Sequence, residues 1–211
     1  IYITNVNTGD VLETTLTKGA ENNRELLLLR ISANNAEDMV IQRLKITLAY
    51  NDGAVDSDFT NIRLYYDTGT AGSYDGTETQ IGSTITEPVS GVVIFSNITG
   101  FTVTAGDATN VLIVAGHTGM ESGEGVKAWV LSGWAEGVGV VSGVTDTSSG
   151  TAEGIRKEVP GRLFVANVSN GNLLKRYLYK TGETNREIIG LKLSASAGED
   201  ITLSSVRISL N

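Results

Sequence analysis

Residues 25–48 read ELLLLRISANNAEDMVIQRLKITL. Apolar and polar positions alternate with period two, the pattern of a strand with one face in a core. Leu27, Leu29 and Ile31 fall on one face; Met39 and Ile41 fall on one face further on, followed by Leu44, Ile46 and Leu48. The phase slips by one between Ile41 and Leu44. One extra residue in a strand restores the inward face without reversing the chain, so a β-bulge is expected there.

Much of this text is written twice. Residues 19–38, GAENNRELLLLRISANNAED, return at 181–200 as TGETNREIIGLKLSASAGED. Shifting the chain by 162 positions aligns residues 1–49 with 163–211 without a gap, at seventeen identities. These include Asn5/Asn167, Glu21/Glu183, Asn23/Asn185, Arg24/Arg186, Glu25/Glu187, Leu29/Leu191, Glu37/Glu199 and Asp38/Asp200. The phase slip recurs between Leu203 and Val206. A unit of about 162 residues exceeds a solenoid repeat, so each copy should be a domain with its own core. The expected organisation is a complete β-sandwich unit at 1–158, a linker at about 145–162, and the first strands of a homologous unit at 163–211. Strands of the second unit are expected at about 163–168, 173–179, 186–195 and 201–210. Their inward row, including Ile189, Leu191, Leu193, Val206, Ile208 and Leu210, has no second sheet in this sequence to cover it. Two completions are expected as alternatives: a continuing array of repeats, or strands from another subunit.

The remainder of the chain keeps the same grammar. Strands are expected at FTNIRLYY (59–66), TQIGSTIT (79–86), GVVIFS (91–96), GFTVTA (100–105), TNVLIVAG (109–116), GVKAWVLSG (125–133) and GVGVVSGV (137–144). Turn residues punctuate them at Asn51-Asp52-Gly53, Tyr74-Asp75-Gly76, Ala105-Gly106-Asp107 and Ser122-Gly123-Glu124-Gly125. No stretch carries a helical apolar period over three turns. With 25 glycines and only two prolines in 211 residues, the fold class is all-β, with Ig-like, Greek-key sandwich domains in tandem and the second incomplete. The run from Asn22 to Leu48, then FTNIRLYYD, QIGSTIT and GVVIFSNITGFTVTAGDATNVLIVAG, resembles the Ig-like repeat modules of large bacterial and archaeal surface proteins. The resemblance covers most of residues 22–116. It implies a structural, extracellular, multi-domain protein and carries no catalytic residue across.

Charge excludes one class of partner. A formal net charge of −8 with scattered basic residues offers no stripe for phosphates, so nucleic acid is not expected. The absence of cysteine excludes disulfides and thiolate metal sites. No apolar run reaches the length of a membrane span, so no direct membrane insertion is expected.

Candidate chemistry is sparse. His117, the single histidine, lies in AGHTGM with no nucleophile motif nearby and is expected at a polar loop tip. Calcium is the one candidate cofactor. Asp52, Asp56 and Asp58, with Asn51 and Asn61 near them, and Asp67 with Asp75 offer hard oxygen ligands in adjacent loops. Solvated turns are the competing account of the same residues. Glu37-Asp38, repeated as Glu199-Asp200, caps a turn, meets a cation, or pairs with Arg24 and its copy Arg186. Trp129, Trp134, Tyr65 and Tyr66 are the aromatics a sugar-binding face would use; core packing is the alternative. Asn97-Ile98-Thr99 and Asn167-Val168-Ser169 fit the N-glycosylation acceptor pattern, marking Asn97 and Asn167.

Together these observations lead to the expectation of a non-enzymatic structural segment of an extracellular or cell-surface assembly: a filament, sheath, surface layer or adhesin stalk. Its partners are other copies of itself or adjacent repeat domains. A carbohydrate-binding or adhesive module is the alternative.

Overall fold

The computed structural model describes residues 1–6, 14–161, 163–167, 190–195 and 202–209. The chain divides into two compact units, Ile1–Val159 and Pro160–Asn211.

The first unit is all-β. Its strands are β1 (Tyr2–Asn5), β2 (Gly19–Ser32), β3 (Met39–Asn51), β4 (Phe59–Tyr66), β5 (Gln80–Ile85), β6 (Val92–Ser96) and β7 (Thr102–Val103). They continue as β8 (Ala108–Met120), β9 (Gly125–Val130), β10 (Ala135–Gly139), β11 (Thr145–Thr147), β12 (Ser149–Gly150), β13 (Ala152–Glu153) and β14 (Lys157–Glu158). One sheet runs β12-β1-β2-β8-β4-β5. The other is built around β3, with β10 and β9 in succession along one edge and β7 and β6 along the other. The two sheets share one core, consistent with a β-sandwich: Leu27, Leu29, Ile31, Leu64 and Ile113 come from the first, and Ile41, Leu44, Ile46, Phe95 and Val126 from the second. Each large side chain so buried contributes about 1.5–3 kcal/mol.

The expected bulge is present. In the β3–β10 ladder, Arg43 faces Glu136 and Ile41 faces Gly137, so Gln42 is skipped. That one residue lets Ile41 and Leu44 both point inward. A second irregularity explains the four consecutive leucines. Along β8, Glu25 faces Val114 and Leu27 faces Ile113, which skips Leu26 and brings both Leu26 and Leu27 into the core. Leu28 points the other way and is buried with Val6, Tyr65, Leu112 and Val114 in a small cluster against Tyr74. The first sheet is therefore apolar on parts of both faces.

Two expectations for this unit fail. The segment 145–158 is not a linker: its residues form β11, β12, β13 and β14, which edge both sheets. Its small residues make that docking possible. Gly150 holds φ at +78°, and a Cβ there would lie 2.2 Å from the Ile3 carbonyl oxygen; one at Gly154 would lie 2.7 Å from the Leu26 carbonyl oxygen. The strand expected at 137–144 ends at Gly139. Beyond it the chain turns, with the Gly139 amide bonded to the Val144 carbonyl at 3.0 Å, and Val140, Val141 and Val144 are left exposed. Val141 and Ser142 give their amides to the Glu37 carboxylate instead of to a ladder.

In the second unit, β15 (Leu163–Asn167) pairs antiparallel with β16 (Leu191–Ala195). The register repeats that of the first unit. Tyr2↔Ser32, Ile3↔Ile31, Thr4↔Arg30 and Asn5↔Leu29 become Phe164↔Ser194, Val165↔Leu193, Ala166↔Lys192 and Asn167↔Leu191. The strand expected at 186–195 is seen as Leu191–Ala195, and that at 173–179 lies outside the described residues. The described part of the strand expected at 201–210, residues 202–209, carries no strand. Its counterpart β3 is a strand because β6, β7, β9 and β10 pair both of its edges; no such ladder is present here among the described residues.

Candidate functional site

Each of the five aspartates named as calcium ligands accepts a hydrogen bond from within the first unit. Asp56 opens a 3-10 turn, Asp56–Asp58. Its Oδ1 accepts the Tyr50 hydroxyl and the Gly91 amide, both at 2.8 Å. Burial, then the hydrogen bond to Asp56, hold the Tyr50 phenol well above its usual range. Asp58 accepts the Val55 amide at 2.7 Å, and Asp52 accepts the Asn51 side-chain amide at 3.0 Å. In the next loop Asp67 accepts the Gly72 amide at 3.1 Å, while Asp75 accepts the amide of Thr77 at 2.8 Å and its hydroxyl at 2.5 Å. Burial raises the Asp67 carboxyl against the opposing Gly72 bond; the Thr77 hydroxyl and amide lower that of Asp75. Among the described residues, no three His, Cys, Asp or Glu side chains gather where a metal ion could be held.

Glu37 and Asp38 act as turn acceptors. Glu37 takes the amides of Val141 and Ser142 at 2.8 and 2.9 Å and the Ser142 hydroxyl, which lower its carboxyl. Asp38 takes the Ala105 amide at 2.8 Å. Arg24 bonds Glu21, through Nη2 at 2.7 Å and Nε at 3.2 Å.

His117 is not at a loop tip. It lies within β8, paired with Glu21 of β2 and Phe59 of β4, and is 3% exposed. Its Nε2 sits 3.3 Å from Glu21 Oε2, and Nδ1 has no hydrogen-bond partner. Burial lowers the imidazole pKa, partly opposed by Glu21. The strands approach closely at Gly116, where a Cβ would lie 3.2 Å from Thr60 Oγ1 and 3.3 Å from the Glu21 carbonyl oxygen.

The four aromatics do not form one face. Tyr65 is buried on the outer side of the first sheet against Tyr74, ring centroids 4.8 Å apart. Tyr66 packs edge-on to Phe101 at 5.5 Å and donates its hydroxyl to the Gly100 carbonyl at 3.1 Å. Trp134 packs against the core with Lys45 Nζ 3.9 Å above its ring. Trp129, half-buried, borders a shallow groove of about 210 Å³ with Leu131, Thr151 and Glu153. A polar cleft of about 420 Å³, which sequence alone did not reveal, lies among Glu21, Asn23, Arg24, Glu25 and residues 72–74. Asn97 is exposed at a positive φ of 53°, beyond the end of β6. The Asn167 side chain and Val168-Ser169 lie outside the described residues.

No known family model and no curated protein matches the chain. No helix of the described residues is long and apolar enough to cross a membrane.

Proposed function

We propose that the chain is a structural, non-catalytic segment of an extracellular surface assembly, such as a filament, sheath, surface layer or adhesin stalk. It is built of tandem Ig-like, Greek-key β-sandwich units, and its partners are copies of itself or neighbouring repeat domains. One observation carries this. Residues 163–211 repeat the sequence of residues 1–49 at seventeen identities, and β15–β16 repeats the four β1–β2 pairs at an offset of 162. Repetition of a folding unit extends length and surface without adding chemistry. The use of side chains agrees with it: Asp58, Asp67 and Asp75 accept amides of their own turns, and Asp56 accepts the Gly91 amide.

The test is protease shaving of intact source cells, with peptides identified by mass spectrometry. Peptides from residues 50–159 should be released from intact cells and be enriched over the lysate; recovery only after lysis would refute the surface assignment. One feature favours the adhesive alternative, the half-buried Trp129 beside its groove. A glycan array probed with the wild-type chain and Trp129→Ala decides it: binding lost in the variant supports a sugar site, and no binding by either removes it.

A further inference from the structure

The strands on either side of β8 carry an irregularity at the same level. Between Glu21 and Arg24, β2 uses three residues where β8 uses two, from His117 to Ala115. Between Thr60 and Arg63, β4 does the same against Gly116 to Val114, and Asn61 there holds φ at +52°. Bulges re-aim side chains, and they gather beside functional sites. Here they leave Glu25 and Arg63 flanking Val114 across β8. Arg63 Nη2 reaches from β4 to β2, to the Asn22 carbonyl at 3.0 Å and Asn23 Oδ1 at 2.7 Å. Beside this crossing lies the polar cleft of about 420 Å³, between Glu21, Asn23, Arg24 and Glu25 of β2 and the loop residues 72–74. That volume falls within the ~300–1,000 Å³ of small-molecule sites.

The walls of the cleft are fixed by hydrogen bonds within the unit. The Tyr74 amide donates to Glu25 Oε1 at 2.7 Å and the Gly72 amide to Asp67 Oδ1 at 3.1 Å. Buried Glu78 takes the Asp75 and Gly76 amides at 3.2 and 3.0 Å. Arg24, itself buried, bonds Glu21 at 2.7 Å. These bonds engage Asn23 Oδ1 and Glu25 Oε1; among the described residues Asn23 Nδ2, Glu25 Oε2 and Ser73 Oγ have no hydrogen-bond partner. The second copy of the repeat keeps the β2 side of the cleft. Glu21, Asn23, Arg24 and Glu25 recur as Glu183, Asn185, Arg186 and Glu187, whereas the core leucines that follow, Leu26, Leu27 and Leu28, have become Ile188, Ile189 and Gly190. A polar set held while the core beside it drifts points to binding.

We propose that this cleft binds a neutral saccharide of one or two rings. The lining selects the class. An anion would meet Glu21 and Glu25, and a cation would meet Arg24. A neutral sugar presents hydroxyls that each donate and accept, which suits a carboxamide nitrogen, a carboxylate oxygen and a serine hydroxyl side by side. Tyr74, half-buried against Tyr65, supplies aromatic surface for the C–H face of the ring. The cleft belongs to the first sheet and the Trp129 groove to the second, so the two are separate sites. The proposal stands apart from the surface assignment, since it concerns the first unit alone.

The experiment titrates the 211-residue chain with glucose, galactose, mannose, N-acetylglucosamine, maltose, cellobiose and chitobiose at millimolar concentration, followed by proton–nitrogen correlation spectra. At least one neutral sugar should shift the Gly72, Ser73 and Tyr74 amides saturably. Asn23→Ala should weaken that sugar by about three- to tenfold, the loss of one hydrogen bond. Ser73→Phe fills the cleft without removing any bond that fixes its walls, and should abolish the shifts while leaving the urea midpoint of the unit unchanged. Trp129→Ala should leave binding unaltered. Glucuronate and glucosamine, the charged analogues of glucose, should bind more weakly than the neutral sugar; tighter binding of either would overturn the neutral class. No saturable shift with any of these sugars, shifts centred on Trp129 and Leu131, or binding that survives Ser73→Phe would overturn the site and leave the surface assignment standing.

Discussion

Ile31 and Leu193 hold the same place in the two copies, so truncating each to alanine gives a matched pair. Ile31 is fully buried in the ladder between β2 and β8. Ile31→Ala removes three carbons, about 2.4 kcal/mol at ~0.8 per methylene, and the cavity left behind brings the cost to about 2–5 kcal/mol. Leu193 keeps 39% of its surface in water, so Leu193→Ala should stay within about 0.5 kcal/mol. Both tryptophans of the chain lie in the first unit, so urea unfolding followed by their fluorescence reports that unit alone. With a slope of about 2 kcal/mol per molar, Ile31→Ala should lower the midpoint by about 1–2.5 M. Leu193→Ala is read in its own unit, where amide exchange of Leu191–Ala195 should change by less than about threefold. Equal losses of stability in the two variants, or an Ile31→Ala shift too small to measure, would refute the different packing assigned to equivalent residues.

Three other outcomes are expected. His117 is buried with its pKa lowered from 6.5, so the unfolded chain binds the proton more readily; first-unit stability should be full above pH 6.5 and decline as pH falls below it. Tryptophan-monitored urea midpoints at pH 7.5 and 5.5 check this, and His117→Gln should flatten the difference; a rise on acidification would contradict the assignment. Gly150→Ala meets both a positive φ and the Ile3 carbonyl, and should cost more than about 2 kcal/mol, read in the same unfolding assay. The Tm should be the same in millimolar Ca²⁺ and in excess chelator, because the aspartates already satisfy turn amides; a calcium-dependent rise would show that they gather around an ion.

The candidate site was less legible than the fold, and the difference is one of range. A carboxylate followed by turn residues looks alike whether it binds a cation or caps its own loop. Asp75 with Thr77, two positions on, is a local matter, but Asp56 accepts from Gly91 and Glu37 from residues 141–142, and such partners are set by the path of the chain between them. His117 misled for a related reason. It was expected at a loop tip, whereas it pairs with Glu21 of β2 and Phe59 of β4, partners distant in sequence.

By itself the sequence determined what depends on periodicity and repetition. It placed β4, β5 and β6 within a residue or so, the skipped residue between Ile41 and Leu44, and the duplication at 162 positions. Alternation of side chains across a strand is a local property, and an apolar face written twice needs no partner to be recognised. Only the tertiary structure decided which residues pair. Segment 145–158 is small and polar and resembles a linker, yet it edges both sheets because glycine at 150 and 154 lets its backbone approach theirs. Residues 39–51 and 202–209 carry related sequences, and only the first is a strand. A strand is completed by hydrogen bonds to its neighbours, and those neighbours are distant in sequence.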